Sequence, residues 1–280
     1  MNSNEQRVRA TRLRDLHQGP GILVLPNAWD CTSARLFEEA GFPAIATTSG
    51  GVAAVLGYAD GQHVSAGEML LLVGRIAETV AVPVTADLEA GYGQSAGEIA
   101  EVMRQAISAG VVGVNLEDGR GAGRPLAKTA DQAEIIGAVR EVALSAGIPL
   151  VINARVDVFL RAAPGDPAGL LDQAVERARA YCGAGADSIF PIGLRDCETI
   201  SRFVRDVGCP VNIMAGHGAP AIAELERIGV RRVTFGSAMM RATLPLVWSM
   251  AKDMRARGES SPLEQGDFTH AAVNALFNRK

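Results

Sequence analysis

Short apolar runs recur along the chain, and each is followed by a longer segment in which apolar residues return at helical spacing. The runs predict strands at residues 21–27, 44–48, 82–87, 113–117, 149–155, 188–192, 210–215 and 232–236. Helical patterns lie between and after them, at about 31–40, 66–80, 95–109, 129–146, 169–182, 196–207, 219–228 and 237–257. The alternation predicts consecutive β–α units throughout the chain.

Several of the predicted strands are apolar almost throughout, as in residues 150–153. This is typical of a parallel sheet that is covered on both faces. Repeated β–α units in a chain of 280 residues predict an α/β fold, a (β/α)8 TIM barrel, as a single domain over residues 1–280. An open doubly wound sheet is the alternative, but no Gly-rich dinucleotide motif follows an early strand.

Further helices are predicted at the two ends, at about residues 3–18 and within a tail at about 258–280. The tail carries an apolar stripe of Phe268, Ala272 and Leu276. A stripe outside a complete barrel must be buried against something. Docking on a second subunit is one answer.

Composition narrows the class of protein. The chain has 27 basic and 31 acidic residues, a net charge of −4 that indicates no nucleic-acid surface. Apolar runs such as 69–73 are far shorter than the roughly 20 residues that a membrane span needs. A polar N-terminus without a signal peptide favours a cytoplasmic location.

The four cysteines have neither zinc-site nor disulfide-framework spacing. We interpret them as small core residues: Cys31, Cys182, Cys197 and Cys209.

Acidic residues gather where the active site of a TIM barrel lies, at the carboxyl ends of the strands. Asp87 and Glu89 follow the third strand, Glu117 ends the fourth, and Asp60 lies on the loop after the second. Converging carboxylates raise one another's pKa, a cost that a divalent cation removes. Oxygen ligands favour Mg²⁺ over Zn²⁺, with Mn²⁺ as an alternative.

Strand-end acids also cap the helices that follow them, which is the competing interpretation. We accept it for Asp30, Asp118 and Asp157. It suits Asp87 and Glu89 less well, because this pair precedes a glycine-containing turn rather than a helix. The metal-site hypothesis therefore depends mainly on Asp87 and Glu89.

Two features suit a small anionic ligand. Arg155 ends a very apolar strand, and its planar guanidinium can hold a carboxylate or a phosphonate at two points. A structural ion pair with one of the acids is the alternative. Ser49, Gly50 and Gly51 offer backbone donors for a carboxylate or oxyanion, with a simple tight turn as the alternative.

Proton transfer has two candidates. Tyr92 lies in the turn after Glu89, and His217 lies near the end of the seventh strand, where a plain polar loop residue is the commoner case. Asn212, within the seventh strand, is a further candidate for substrate binding.

Four motifs, in this order at the predicted strand ends, resemble the isocitrate lyase/phosphoenolpyruvate mutase superfamily. They occupy residues 48–51, 87–93, 115–118 and 153–157. The resemblance implies a Mg²⁺-dependent barrel that cleaves or forms C–C or P–C bonds in small 2-oxo or 2-hydroxy acids through an enolate-like intermediate. It also implies a homo-oligomer, a dimer of dimers whose final helices are exchanged between paired subunits.

The resemblance also assigns roles to residues. The metal site matches Asp60, Asp87, Glu89 and Glu117, with Asp87 as the direct ligand and the others acting mainly through water. The Ser49–Gly51 segment and Arg155 match the groups that hold the substrate's carboxylate and oxo end.

The chain departs from the lyases of that superfamily at two places. Residues 119–128 lack the Lys–Xaa–Cys–Gly–His segment that carries the lyases' catalytic cysteine, and Ile192 replaces a glutamate after Phe–Pro. The Lys–Thr pair at 128–129 comes too late to match the gate of the phosphonate enzymes. Arg120 and Arg124 could instead cover a di- or tricarboxylate, or be simply solvated.

These observations predict a Mg²⁺-dependent lyase that cleaves a C–C bond of a small 2-oxo or 2-hydroxy carboxylic acid through a metal-stabilised enolate. Arg155, Tyr92 and Glu117 are the predicted catalytic residues. A phosphonate P–C mutase or hydrolase is the alternative enzyme. A non-catalytic binder of 2-oxo acids is the alternative from another class.

Overall fold

The computed structural model describes residues 2–121, 125–161, 167–258 and 268–278. Its strands are β1 Leu23–Leu25, β2 Asn27–Ala28, β3 Ile45–Thr47, β4 Val84–Asp87, β5 Gly113–Glu117, β6 Val151–Val156, β7 Ser188–Pro191, β8 Asn212–Met214 and β9 Arg232–Thr234. Its helices are α1 Ser3–Gln18, α2 Cys31–Glu39, α3 Ser49–Leu56, α4 Ala66–Thr79, α5 Ala96–Ser108, α6 Thr129–Ser145, α7 Val158–Arg161, α8 Pro167–Gly183, α9 Cys197–Val207, α10 Ile222–Arg227, α11 Ala238–Arg257 and α12 His270–Ala275.

The strands close into a parallel ring. β2 to β7 pair in chain order, and β1, β9 and β8 form the remaining arc. A bridge between Ile189 and Val211 joins β7 to β8. The first predicted strand is divided into β1 and β2 by Pro26, because proline has no N–H group to donate to a neighbouring strand. The predicted TIM barrel is therefore confirmed, with the predicted strands in place and their ends shifted by a few residues.

The helices cover the ring with amphipathic faces, as α5 illustrates. Ser95 caps its first turn by accepting from the Glu98 N–H group. Ile99, Met103 and Ala106, spaced by three or four residues, are buried against the barrel. Such faces and the apolar strands form the core that holds the strand ends in position.

Two predictions about local structure are corrected, and one short helix is present that the pattern does not predict. The Ser49–Gly51 segment is neither a free nest nor a tight turn but the first turn of α3, which is capped by Thr48. Helix α7, four residues long, was not predicted from the pattern. Cys182 and Cys209 form a disulfide rather than acting as separate core residues. They lie 27 residues apart in sequence and meet only because the end of α8 packs beside the start of β8.

The tail is described only in part, since residues 259–267 and 279–280 lie outside the described ranges. Directly after α12, the Leu276 carbonyl accepts a hydrogen bond of 2.6 Å from Arg35 Nε of α2 in the same chain. Exchange of helices between subunits stays a prediction. Within the described ranges, the helices are too short or too polar to cross a membrane.

Helix α1 closes the N-terminal end of the barrel, and His17 is buried there beside a fully buried arginine. Its Nδ1–H group donates to the Leu13 carbonyl at 2.7 Å, so Nε2 is free to accept from Arg232 Nη1 at 3.5 Å. Burial, and then the charge of Arg232, lower the pKa of His17 to about 4. The ring is therefore neutral at physiological pH.

This arrangement predicts a pH-dependent stability. In the unfolded chain His17 takes up a proton near pH 6.5, but in the folded protein it does so only near pH 4. The free energy of unfolding therefore has its full His17 contribution above pH 6.5 and loses up to about 3 kcal/mol of it as the pH falls to 4. Urea unfolding of wild type and His17→Gln across this range should show a smaller decline in the variant. His63→Gln, at an exposed site, should decline as wild type does; an equal decline in all three proteins contradicts the assignment.

Candidate active site

Asp87, at the end of β4, is fixed by one hydrogen bond through its backbone and one through its side chain. Its N–H group donates to Thr47 Oγ1 at 3.0 Å, and its Oδ2 accepts from the Ser49 N–H group at 3.1 Å. Its other oxygen, Oδ1, is buried and has no hydrogen-bond partner among the described residues. A buried carboxylate oxygen without a donor is costly, so this atom is open to a ligand.

The turn after β4 carries the next two candidates in a strained backbone. Glu89 and Tyr92 both have left-handed φ values, 50° and 59°. Tyr92 Oη donates to Glu89 Oε1 at 2.7 Å. Gly91 has a φ of 94°, and a Cβ atom there would lie 2.6 Å from Ile99 Cγ2. The turn is thus pressed against α5, and strain of this kind is typical of functional sites.

Arg155 and Glu117 lie opposite each other in register at the ends of β6 and β5. Arg155 Nη1 pairs with Glu117 Oε2 at 2.5 Å. Its Nε and Nη2 donate to the two carboxylate oxygens of Asp157 at 2.6 and 2.8 Å. The ion pair considered from the sequence is therefore present, and it holds the guanidinium in one orientation.

Negative charge is only partly balanced in this site. Burial raises the pKa of Glu89 to about 7; the Tyr92 hydroxyl opposes this rise, whereas the charges of Asp87 and Asp60 add to it. Burial also raises the pKa of Glu117 against the opposing effect of Arg155. Burial alone would lower the pKa of Arg155, but its bonds to Asp157 and the charge of Glu117 outweigh this and raise it. A cation would relieve the remaining repulsion.

Asp60 and Asn212 occupy different surroundings. A Cβ atom on Gly50 would lie 2.9 Å from Asp60 Oδ2, so this carboxylate rests against the first turn of α3. Asn212 is fully buried in β8, where its Nδ2 donates to Thr234 Oγ1 at 3.2 Å. The structure therefore brings Asp60 to the helix turn that contacts Asp87, and it pairs Asn212 with a neighbouring strand.

The site fits an ion held by few direct ligands. Across the described ranges, no three His, Cys, Asp or Glu side chains are already grouped as a metal cage. Mg²⁺ keeps several waters and uses one or two direct carboxylates. The unpartnered Oδ1 of Asp87 suits the direct position, and Glu89, Glu117 and Asp60 suit contacts through water.

The capping interpretation holds for only some of the strand-end aspartates. Asp30 caps α2 as predicted, accepting from the Ser33 N–H group at 2.6 Å. The capping interpretation is wrong for Asp118, which accepts from Arg177 and Tyr181 of α8. The Asp157 carboxylate accepts hydrogen bonds from Arg155 instead of capping a helix. The only hint was the four-residue spacing of Arg177 and Tyr181, which places both on one helix face.

The remaining candidates are less connected. The His217 side chain is exposed, and its carbonyl accepts from Arg195 Nη1 at 2.7 Å. Arg120 is half-buried at the start of its loop, and Arg124 lies outside the described residues.

A closed parallel barrel with carboxylates and an arginine at its strand ends is the arrangement of a TIM-barrel enzyme. Residues 13–255 match the family model described as phosphoenolpyruvate phosphomutase. The chain belongs to this family, and with it to the isocitrate lyase/phosphoenolpyruvate mutase superfamily, which confirms the resemblance seen in the sequence.

Similar proteins include enzymes named as lyases. The chain is 29% identical over 266 residues to 2-methylisocitrate lyase of Bacillus subtilis (strain 168), covering 91% of this chain and 84% of that protein. A crystal structure from Burkholderia cenocepacia J2315, provisionally named a lyase/mutase, has a TM-score of 0.89 at 34% identity and covers 99% and 98% of the two chains. The crystal structure of 2,3-dimethylmalate lyase has a TM-score of 0.86 at 26% identity and covers 96% and 93%. The chain is thus an enzyme of a lyase/mutase superfamily.

The strained turn gives a prediction about Gly91. Gly91→Ala places a Cβ atom against Ile99 at a left-handed φ, so we expect the free energy of unfolding to fall by about 1–3 kcal/mol. Gly137→Ala, inside α6 with open space around it, should instead raise it by up to about 1 kcal/mol. Urea unfolding of both variants measures the difference. Equal stabilities would show that the turn is not held against α5.

Proposed function

We propose that this chain is a Mg²⁺-dependent lyase that cleaves a C–C bond of a small 2-oxo or 2-hydroxy carboxylic acid through an enolate. The observation that carries the proposal is the buried, unpartnered Oδ1 of Asp87 beside further carboxylates. The lyase names of similar proteins support the substrate class.

The acidic residues would hold the ion. Asp87 would be its direct ligand, and Glu89, Glu117 and Asp60 would bind its water molecules. Mn²⁺ would accept the same oxygen ligands. When bound, the ion supplies positive charge for the negative charge that develops on the substrate as the bond breaks.

Arg155 would bind the substrate's carboxylate. Asp157 already holds the Nε–Nη2 edge of the guanidinium, which leaves Nη1, now paired with Glu117, as the group that can be shared with an anion. The fixed orientation means that little ordering is needed on binding. In the first turn of α3, the Ser49 N–H group already donates to Asp87 and the Gly51 N–H group to Thr48 Oγ1, so the Gly50 N–H group would be the added donor at this helix N-terminus.

Tyr92 is our candidate for the proton donor. Its hydroxyl already donates to Glu89 at 2.7 Å. Burial, followed by the charge of Glu89, raises its pKa, so the phenol keeps its proton until a stronger base forms beside it. An enolate carbon is such a base: the Tyr92 hydroxyl proton would pass to it as the C–C bond breaks, and the proton released by the substrate's 2-hydroxyl would restore the phenol. Tyr92 would therefore take the role for which residues 119–128 offer no cysteine.

The test of this function uses Asp87→Asn, which keeps the shape of the side chain and removes its charge. We expect the variant to fold as wild type does, to lose Mg²⁺ binding in isothermal titration calorimetry, and to lose at least about 100-fold in kcat/KM, since a metal ligand is removed. Asp30→Asn is the matched control, because aspartate and asparagine cap helices equally well. Full turnover by Asp87→Asn in added Mg²⁺ contradicts the proposed site.

The substrate screen separates the alternatives. Binding of oxalate is measured with and without Mg²⁺, and turnover is then measured with 2-methylisocitrate, 2,3-dimethylmalate and phosphonopyruvate. Consumption of a carboxylic acid with C–C cleavage supports the proposal. Consumption of phosphonopyruvate replaces it with P–C chemistry, which the phosphoenolpyruvate phosphomutase family model also allows. Tight oxalate binding with no turnover points to a non-catalytic 2-oxo acid binder.

We also propose that the chain assembles as a homo-oligomer, a dimer of dimers, through α11. Leu244, Val247 and Trp248 lie on one face of this helix and are 53%, 62% and 66% exposed. Large apolar side chains grouped in this way are typical of an interaction surface. A second copy of the chain is the proposed partner.

Substitution within this face provides the test. Val247→Glu should lower the mass measured by light scattering from that of a tetramer to that of a smaller assembly of the 29.3 kDa chain, because a charge would be buried in the α11 interface. Leu71→Glu, at an exposed position on α4, should leave the tetramer intact. A wild-type protein that is already monomeric excludes the assembly.

A further inference from the structure

Asp118 is a fully buried aspartate that follows Glu117 in sequence but has no place in the proposed chemistry. Its Oδ2 accepts from Tyr181 Oη at 2.8 Å and from Arg177 Nη1 at 2.9 Å. Both donors belong to α8, on the outer layer of the barrel. Arg177 Nη1 also donates to the Ala127 carbonyl at 2.9 Å. The helix layer is thus tied directly to the strand end behind Glu117.

The same aspartate is bonded to the backbone on both sides of the β6 end. Its Oδ1 accepts from the Asp157 N–H group at 2.9 Å, and its own N–H group donates to the Arg155 carbonyl at 3.2 Å. The Asp157 carboxylate in turn holds Arg155 at two points. A continuous series of hydrogen bonds therefore runs from α8 through Asp118 and Asp157 to the Arg155 guanidinium.

Packing around Gly119 tightens this connection. A Cβ atom on Gly119 would overlap Asp157 Oδ2 and would lie 2.8 Å from Arg161 Nη2. Gly119 is not among the glycines with a positive φ, so glycine is needed here for space rather than for backbone conformation. The chain leaving Asp118 thus rests directly on the carboxylate that orients Arg155.

The hydrogen bonds and ion pair around Asp118 contribute little net stability to the folded protein. A buried ion pair such as Asp118–Arg177 recovers little more than the cost of removing its charges from water. Its geometric effect is larger, because Asp157 can fix Arg155 only as firmly as Asp157 is itself fixed. Arg155 has a long side chain whose rotamers would otherwise be free.

We propose that Asp118, held by Arg177 and Tyr181, is a positioning residue that orients Arg155 for the substrate's carboxylate by fixing Asp157. The inference rests on the proposed role of Arg155 in substrate binding. It adds residues whose side chains bond neither to the substrate nor to the metal-site carboxylates. It also predicts a specific coupling between α8 and anion affinity.

A double-mutant cycle with oxalate as the probe tests the coupling. In the presence of Mg²⁺, Asp118→Asn should weaken oxalate binding at least tenfold in calorimetry, and Tyr181→Phe, which removes one hydrogen bond, should weaken it severalfold. Arg155→Lys keeps a charge but loses the two-point fork, so Asp118→Asn should then change the affinity by no more than about twofold. Mg²⁺ affinity measured without oxalate should stay within twofold of wild type.

Two further variants separate positioning from stability. Asp187→Asn removes a comparable partner at the opposite end of the barrel, where Asp187 binds Arg140 Nη2 and the Ile152 N–H group. It should lower the Tm and leave oxalate affinity unchanged. Gly119→Ala displaces Asp157 without touching Asp118 and should weaken oxalate binding as Asp118→Asn does. If Asp118→Asn does not fold, Tyr181→Phe and Gly119→Ala decide the question.

Each outcome has a distinct meaning. Wild-type affinity in Asp118→Asn, Tyr181→Phe and Gly119→Ala, together with weakened binding in Arg155→Lys, overturns this inference and leaves the proposed function standing. Equal losses from Asp118→Asn in both backgrounds also overturn it, because Asp118 would then act independently of Arg155. Wild-type oxalate affinity in Arg155→Lys, or no oxalate binding by wild type, contradicts the proposed function itself.

Discussion

The convergence of buried carboxylates at neighbouring strand ends is the constraint on which the rest of this site depends. Parallel strands place their carboxyl ends at one edge of the barrel, so Asp87, Glu89 and Glu117 cannot avoid one another. Arg155 offsets part of this charge by pairing with Glu117 and Asp157. Burial is the main cause that raises the pKa of Glu89 to about 7, and the remaining repulsion from Asp87 and Asp60 adds to it.

The backbone around these acids is held in conformations that isolated residues would not choose. The left-handed φ values of Glu89 and Tyr92 persist because Gly91 lies tightly against Ile99 of α5. The same helix buries Ile99 in the main core. Packing energy far from any chemistry therefore sustains the local strain, which is why a TIM barrel can keep a precise site at the ends of its strands.

The barrel could be predicted from the sequence, because it depends on features repeated along the chain. Apolar runs, helical spacing and the acids at strand ends are local signals, and the strands were found where expected. The contacts of Asp118 with Arg177 and Tyr181 join residues about 60 positions apart. No local pattern states which helix reaches which strand end, so the sequence predicts only a helix cap for Asp118. The Cys182–Cys209 disulfide was missed for the same reason.

The barrel interior connects its two ends through polar side chains. Arg232, fully buried in β9, donates to Asn115 Oδ1, which also accepts from Asn153 Nδ2. The Asn115 carbonyl accepts from the Leu88 N–H group, next to Asp87.

These bonds tie the ends of β4, β5 and β6 to one another below the site. The positions of Asp87 and Glu117 are therefore set by the barrel itself, whereas Arg155 is held in addition by Asp157, against which Gly119 packs. Residues 119–128 lack the cysteine segment of the lyases, while Asp87 and Glu117 keep their places at the strand ends. The residue that donates a proton can therefore change while the groups proposed to bind the metal ion and the substrate stay in place, which is how one barrel can serve several related reactions.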